Sequence, residues 1–181
     1  MMLMKLKKIA LRAIGFVCGV LAFGPALATG AQSGIVGEVI AAIGEGRILS
    51  DGGQAQTTMR GVPVRAGDSI ETAVGGHVHI RFVDGALVSV RPLSRLSIDA
   101  YRNSDERGAA AIKFRLEDGV MRSVTGRWGE AHRERFRLNT PIAAIGIKGT
   151  DFVVRAAPDN TYAGVLSGAI VMAPLEGACA Q

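Results

Sequence analysis

The sequence predicts an all-β domain of many short strands, built as a sandwich or a wound, solenoid-like sheet and preceded by a helical signal peptide. Three observations carry this prediction. Apolar and polar residues alternate at period two, not 3.6, through most of the chain after residue 34. Glycine and Asp-Gly punctuate that alternation, with 21 of the 24 glycines lying after Ala28. No long amphipathic helix pattern follows the N-terminal apolar segment. Alternation fixes which side chains share a face but not how a sheet closes, so sandwich and solenoid both stay open.

The N-terminus reads as a secretory leader. Lys5, Lys7, Lys8 and Arg12 precede an uncharged apolar run from Ala13 to Leu27, and Ala26-Leu27-Ala28 offers small residues at the −3 and −1 positions of a cleavage site. Cleavage is expected after Ala28. The alternative is an uncleaved membrane anchor, but the run is short of the roughly 20 apolar residues a spanning helix needs. Cys18 does not mark a lipoprotein, because Val17 rather than a small residue precedes it. The expected organisation is a signal peptide over 1–28, a short leader over 29–34, a β domain over 35–173 and a tail over 174–181. A periplasmic or secreted location follows, with no membrane span after cleavage.

Strands are expected in order along the mature chain. Residues 35–42 and 48–49 suit short strands, and Gly67 to Thr72 reads as a turn entering another. Val78, Ile80 and Phe82 alternate with His77, His79 and Arg81. Asp84-Gly85 then turns the chain into Ala86, Val88 and Val90, which is a hairpin pattern. Leu96, Ile98 and Ala100, then Ile112, Phe114 and Leu116, give two more half-buried strands. Asp118-Gly119 predicts a second hairpin turn leading into Val120 to Val124. Residues 135–139, 150–155, 161–166 and 169–172 complete the series, and 101–109 and 126–133 are the longest polar loops.

The densest pattern is Leu138 to Phe152, Leu-Asn-Thr-Pro-Ile-Ala-Ala-Ile-Gly-Ile-Lys-Gly-Thr-Asp-Phe. Pro141 lacks an N–H and pushes Thr140 extended, so the ladder is interrupted or at an edge there. Gly146 and Gly149 allow tight turns. A phosphate loop is excluded, since Gly149 rather than Ser or Thr follows Lys148 and strand residues follow Thr150. Together with Gly34 to Val39, the Gly67-Asp68-Ser69-Ile70-Glu71-Thr72 block and the Asp84-Gly85 hairpin, the order ending in Thr140-Pro141 and Gly149-Thr150 resembles the FecR domain family over about residues 35–172. The resemblance implies an extracytoplasmic all-β module whose motif residues Gly67, Asp68, Thr72, Asp84, Gly85, Thr140, Pro141, Gly149 and Thr150 supply turns and packing. The namesake layout also carries a cytoplasmic part that relays an iron-siderophore signal to a sigma factor. Only twelve residues precede the apolar run here, which argues against direct sigma-factor control.

Charge and side-chain chemistry narrow the function classes. The whole chain carries a net +5, but removing the four basic residues of the leader from 21 leaves 17 Lys and Arg against 16 Asp and Glu. That balance and an aromatic content of 5% argue against nucleic acid as a partner. Arg133, Arg135 and Arg137 would share one strand face as solvated charges, with Glu130 and Glu134 interrupting the run. His77 and His79 share a strand face but lack a third ligand, so no metal site is expected. Asp105-Glu106 and Glu117-Asp118 are adjacent carboxylates without evidence of a shared cleft. Ser89, Ser94 and Ser97 lack a nucleophile elbow. Cys179 would be the only thiol of the mature chain, available to another chain but to no internal disulfide.

No catalytic residue and no cofactor is therefore expected. The leading expectation is a non-enzymatic recognition or sensory module of the cell envelope with a protein or envelope partner, with signal transduction as a candidate role. The alternative is a structural or assembly protein of the envelope or secreted fraction. Trp128, the one tryptophan, is the residue singled out for contact, unless its ring instead folds over the edge of the core.

Overall fold

A computed structural model describes residues 34–103 and 110–175. The leader, Cys18, the Asp105-Glu106 pair and Cys179 lie outside the described residues. Among those residues, one curled, mostly antiparallel sheet of fourteen strands folds over into two layers. The first layer runs β4 (Pro63–Arg65), β1 (Ile35–Ile43), β6 (His77–Phe82), β7 (Leu87–Val90), β9 (Ala111–Val124), β12 (Asp151–Ala156) and β13 (Thr161–Ser167). The second runs β3 (Ala55–Thr57), β2 (Gly46–Leu49), β5 (Ser69–Thr72), β8 (Ser94–Arg102), β9 again, β10 (Phe136–Asn139), β11 (Ala143–Ile147) and β14 (Ile170–Pro174).

The two layers share β9, and this replaces the hairpin expected at Asp118-Gly119. Residues before Gly119 pair with β8 and β10, while those from Gly119 onward pair with β7 and β12. A bulge opposite Arg95 and Leu96 and a φ of 90° at Gly119 bend the strand. A Cβ at Gly119 would stand 2.2 Å from Ser94 Oγ and 2.5 Å from the Leu93 carbonyl oxygen. Asp-Gly supplies positive φ in both a bulge and a hairpin, so the dipeptide alone cannot distinguish them.

Alternation places one face of each layer inward. Ile80, Phe82, Val88, Val90, Met121, Phe152 and Val154 meet Ile70, Leu96, Ile98, Phe114, Leu116, Leu138 and Ile145 in a single core. Aromatic rings join the layers directly. Phe82 of β6 lies edge-on to Phe114 of β9 at 5.6 Å, and Phe136 of β10 meets Phe152 of β12 at 6.2 Å.

Three further expectations are revised. The polar loop after residue 126 contains a helix, α1 (Arg127–Ala131), and a 3-10 turn over Arg133–Arg135, so only Arg137 of the three arginines lies on a strand. Gly146 lies inside β11, a strand the turn-like reading missed. Residues 55–57 and 63–65 also form strands, too short for alternation to register.

Candidate recognition surface

The motif residues fall into three turn-and-brace sites. At the first, Asp68 is buried and its Oδ2 accepts the Arg65 N–H at 2.8 Å, closing the turn that carries Gly67. Burial is the main influence on this carboxyl and raises its pKa above the usual aspartate value. Thr72 at the end of β5 donates to the Arg91 carbonyl at 2.5 Å and accepts the Ser94 N–H at 3.0 Å, bracing the start of β8.

The second site is centred on Asp84, whose side chain is buried in the β6–β7 turn. Oδ1 accepts the Tyr101 hydroxyl at 2.5 Å and the Ala86 N–H at 3.1 Å, while Oδ2 accepts the Trp128 N–H at 3.1 Å. Its carbonyl oxygen accepts the Arg127 N–H at 3.2 Å. One carboxylate thus fixes its own hairpin, the end of β8 and the first turn of α1. Glycine is required at 126, because a Cβ there would lie 2.4 Å from Asp84 Oδ2. Tyr101 stacks on Phe82 at 4.2 Å, and Trp128 leans against Tyr101 at 5.7 Å. Burial, reinforced by the bond to Asp84 and its charge, pushes the Tyr101 phenol well above its ordinary pKa.

The third site joins the ends of the Leu138–Phe152 stretch. Thr140 and Pro141 form the β10–β11 turn, where Thr140 Oγ1 accepts the Ala143 N–H at 3.0 Å and meets Thr161 Oγ1 at 2.7 Å. Gly149 and Thr150 carry the chain between layers. The Thr150 carbonyl accepts the Thr125 hydroxyl at 2.9 Å, and the Thr150 N–H donates back to Thr125 Oγ1 at 3.2 Å.

His77 and His79 share the outer face of β6, and His79 Nδ1 lies 2.8 Å from Ser89 Oγ. Desolvation, then Arg91 and His77, lowers the His79 pKa and favours neutral imidazole. No group of three or more His, Cys, Asp or Glu able to hold a metal occurs among the described residues. Arg95 engages Glu117 at 3.7 Å, an ion pair on the sheet surface. Arg122 grips Asp151 through two bonds of 2.8 and 2.6 Å, and those bonds hold the Asp151 carboxyl below its usual pKa.

Depressions flank the Asp84 hub on both sides. One, of about 690 Å³, is bordered by Ile35, Glu38, Arg81, Val83, Arg127 and Glu130. The other, of about 500 Å³, lies between Ile35, Val36, Val83, Tyr101 and Trp128. Ile35 and Val83 are 58% and 50% exposed, so a contiguous apolar rim faces outward where the motif residues face inward. Sequence reasoning did not single out Ile35 or Val83, because each is an ordinary strand-end aliphatic until the fold sets them side by side.

The family model described as FecR protein matches residues 68–171, more than half of the chain. The chain belongs to the FecR family. The match covers all three brace sites from Asp68 onward and stops within β14. A solved structure described as a cell surface anchoring domain aligns with 29% identity over 34% of this chain and 82% of that one, at a TM-score of 0.34. No curated protein matches the chain. No helix among the described residues is long and apolar enough to cross a membrane.

Proposed function

We propose that this FecR-family chain is an exported, non-enzymatic recognition or sensory module of the cell envelope that works by binding another protein. Family membership over residues 68–171 is the observation that carries the reading. The basic, apolar and small-residue order of residues 1–28 supports export to a periplasmic or secreted location. We assign the motif residues to architecture, since their polar atoms are engaged in turns and braces. The contact surface is the apolar rim of Ile35 and Val83 beside Trp128, where shallow depressions bring aliphatic surface next to charged Arg81 and Glu130. Crosslinking in an intact envelope fraction, followed by purification of the full chain, tests this reading. Wild type should capture a discrete partner, and a Val83→Asp variant of unchanged stability should not. Recovery of an unprocessed, cytosolic chain would overturn it.

A second reading, as an assembly protein, is favoured by the edge strands. Thr161 to Leu175 contains no charged residue, and Tyr162, Leu166, Val171 and Met172 are exposed along β13 and β14. Uncharged edges of this kind are templates for strand pairing. Light scattering across a concentration series decides this case: a self-assembling chain gains mass with concentration, and Leu166→Lys suppresses the gain.

A further inference from the structure

The parallel pairing of β10 with β9 sets Arg137 directly beside Lys113 on the outer face of the second layer. Like charges in register are destabilising, and neither side chain has an acidic partner among the described residues. Elsewhere on this layer the arrangement differs: Arg95 pairs with Glu71 at 2.6 Å and Arg115 with Asp99 at 2.5 Å. Beyond β10 the layer continues through β11 and β14, where Gly146 pairs with Val171. Open space lies above Gly146, and the surface there sinks into a depression of about 470 Å³ reaching Arg133 and Lys148. The Arg133 guanidinium hangs over Gly149, within 3.5 Å of where a Cβ would stand. Glu134 is the single acid at this depression, and it is held by Arg135 at 3.8 Å.

The lining of this depression narrows the class of occupant. No aromatic ring is exposed at the depression, Phe136 being buried, so sugars and bases have nothing to stack on. Charge remains, over a floor made low by Gly146. An extended peptide fits these terms, because it presents alternate carboxylates about 6.6 Å apart to cations spread across strands about 4.8 Å apart.

We propose that the groove over Gly146, walled by Arg133, Arg137 and Lys148, with Lys113 beside Arg137, binds an acidic, extended segment of a protein partner. The proposal rests on the protein-recognition reading and adds the chemistry of the recognised segment. Fluorescence anisotropy with a labelled oligoglutamate peptide and the full chain tests it. Wild type should bind in a salt-dependent way, and Lys113→Glu/Arg137→Glu should weaken binding by about tenfold or more. Arg155→Glu, a charge reversal of an exposed arginine on the other layer, should leave it unchanged. Should the double reversal fail to fold, Lys113→Gln and Arg137→Gln singly must each still weaken binding. Absence of wild-type binding, equal loss in Arg155→Glu, or displacement of the peptide by a uronate polymer or polyphosphate at lower concentration than by unlabelled oligoglutamate overturns the groove's assignment. Partner capture in the envelope with no oligoglutamate binding overturns the groove alone, whereas oligoglutamate binding without capture supports the groove and counts against the recognition role.

Discussion

The Tyr101 hydroxyl donates to Asp84 Oδ1 at 2.5 Å, tying the end of β8 to the β6–β7 turn that also anchors α1. Asp84→Ala would leave the Tyr101 hydroxyl and the Ala86 and Trp128 N–H groups without their acceptor. A loss of about 2–4 kcal/mol is expected in denaturant unfolding, against about 1–2 kcal/mol for Tyr101→Phe, which removes one donor and keeps the ring packing. Equal losses would show that the carboxylate does not join the three elements.

The same pair sets an alkaline limit. Folding raises the Tyr101 pKa above its unfolded value of 10.0, so the folded chain holds a proton that the unfolded chain releases. Stability from this group is fully present below pH 10.0 and is lost progressively as pH rises beyond it. Unfolding midpoints measured on either side of that value should fall for wild type and fall less steeply for Tyr101→Phe.

Gly119→Ala tests the bend shared by the two layers. Positive φ and the approach of Ser94 and Leu93 leave no room for a Cβ, and displacement of the β8 backbone should cost about 2–4 kcal/mol. Gly53→Ala, also at positive φ but with open space around it, should cost about 1 kcal/mol. Thermal unfolding of the two variants separates steric crowding from backbone preference.

Trp128 is half-buried, packs on the core and leans on Tyr101. Trp128→Ala should lower stability by about 1–3 kcal/mol, less than for a fully buried ring. Trp128→Phe should recover most of that loss in chemical denaturation. A Trp128→Ala variant with unchanged stability and lost partner capture would reassign the ring wholly to contact.

Much of the fold was legible because a buried sheet face writes period two into the sequence. Val78, Ile80 and Phe82 and then Val88 and Val90 announce β6 and β7, and Asp84-Gly85 announces their turn. Asp118-Gly119 misled because positive φ serves a bulge as well as a turn. Gly146 misled because a strand glycine and a turn glycine carry the same letter, and the space above it depends on neighbours in β10 and β14. The candidate surfaces were the least legible, since Lys113 and Arg137 stand 24 residues apart and meet only through a parallel pairing.

By itself the sequence determined the all-β class, the run of half-buried strands and the FecR resemblance that the family match bears out, because local backbone preference and alternation are written residue by residue. Only the tertiary structure decided that β9 serves both layers, that Asp84 braces three elements, and that Arg137 stands beside Lys113 over an open glycine floor. Those outcomes depend on pairing between distant strands, whose register is selected by burial of the shared core and not by any local signal.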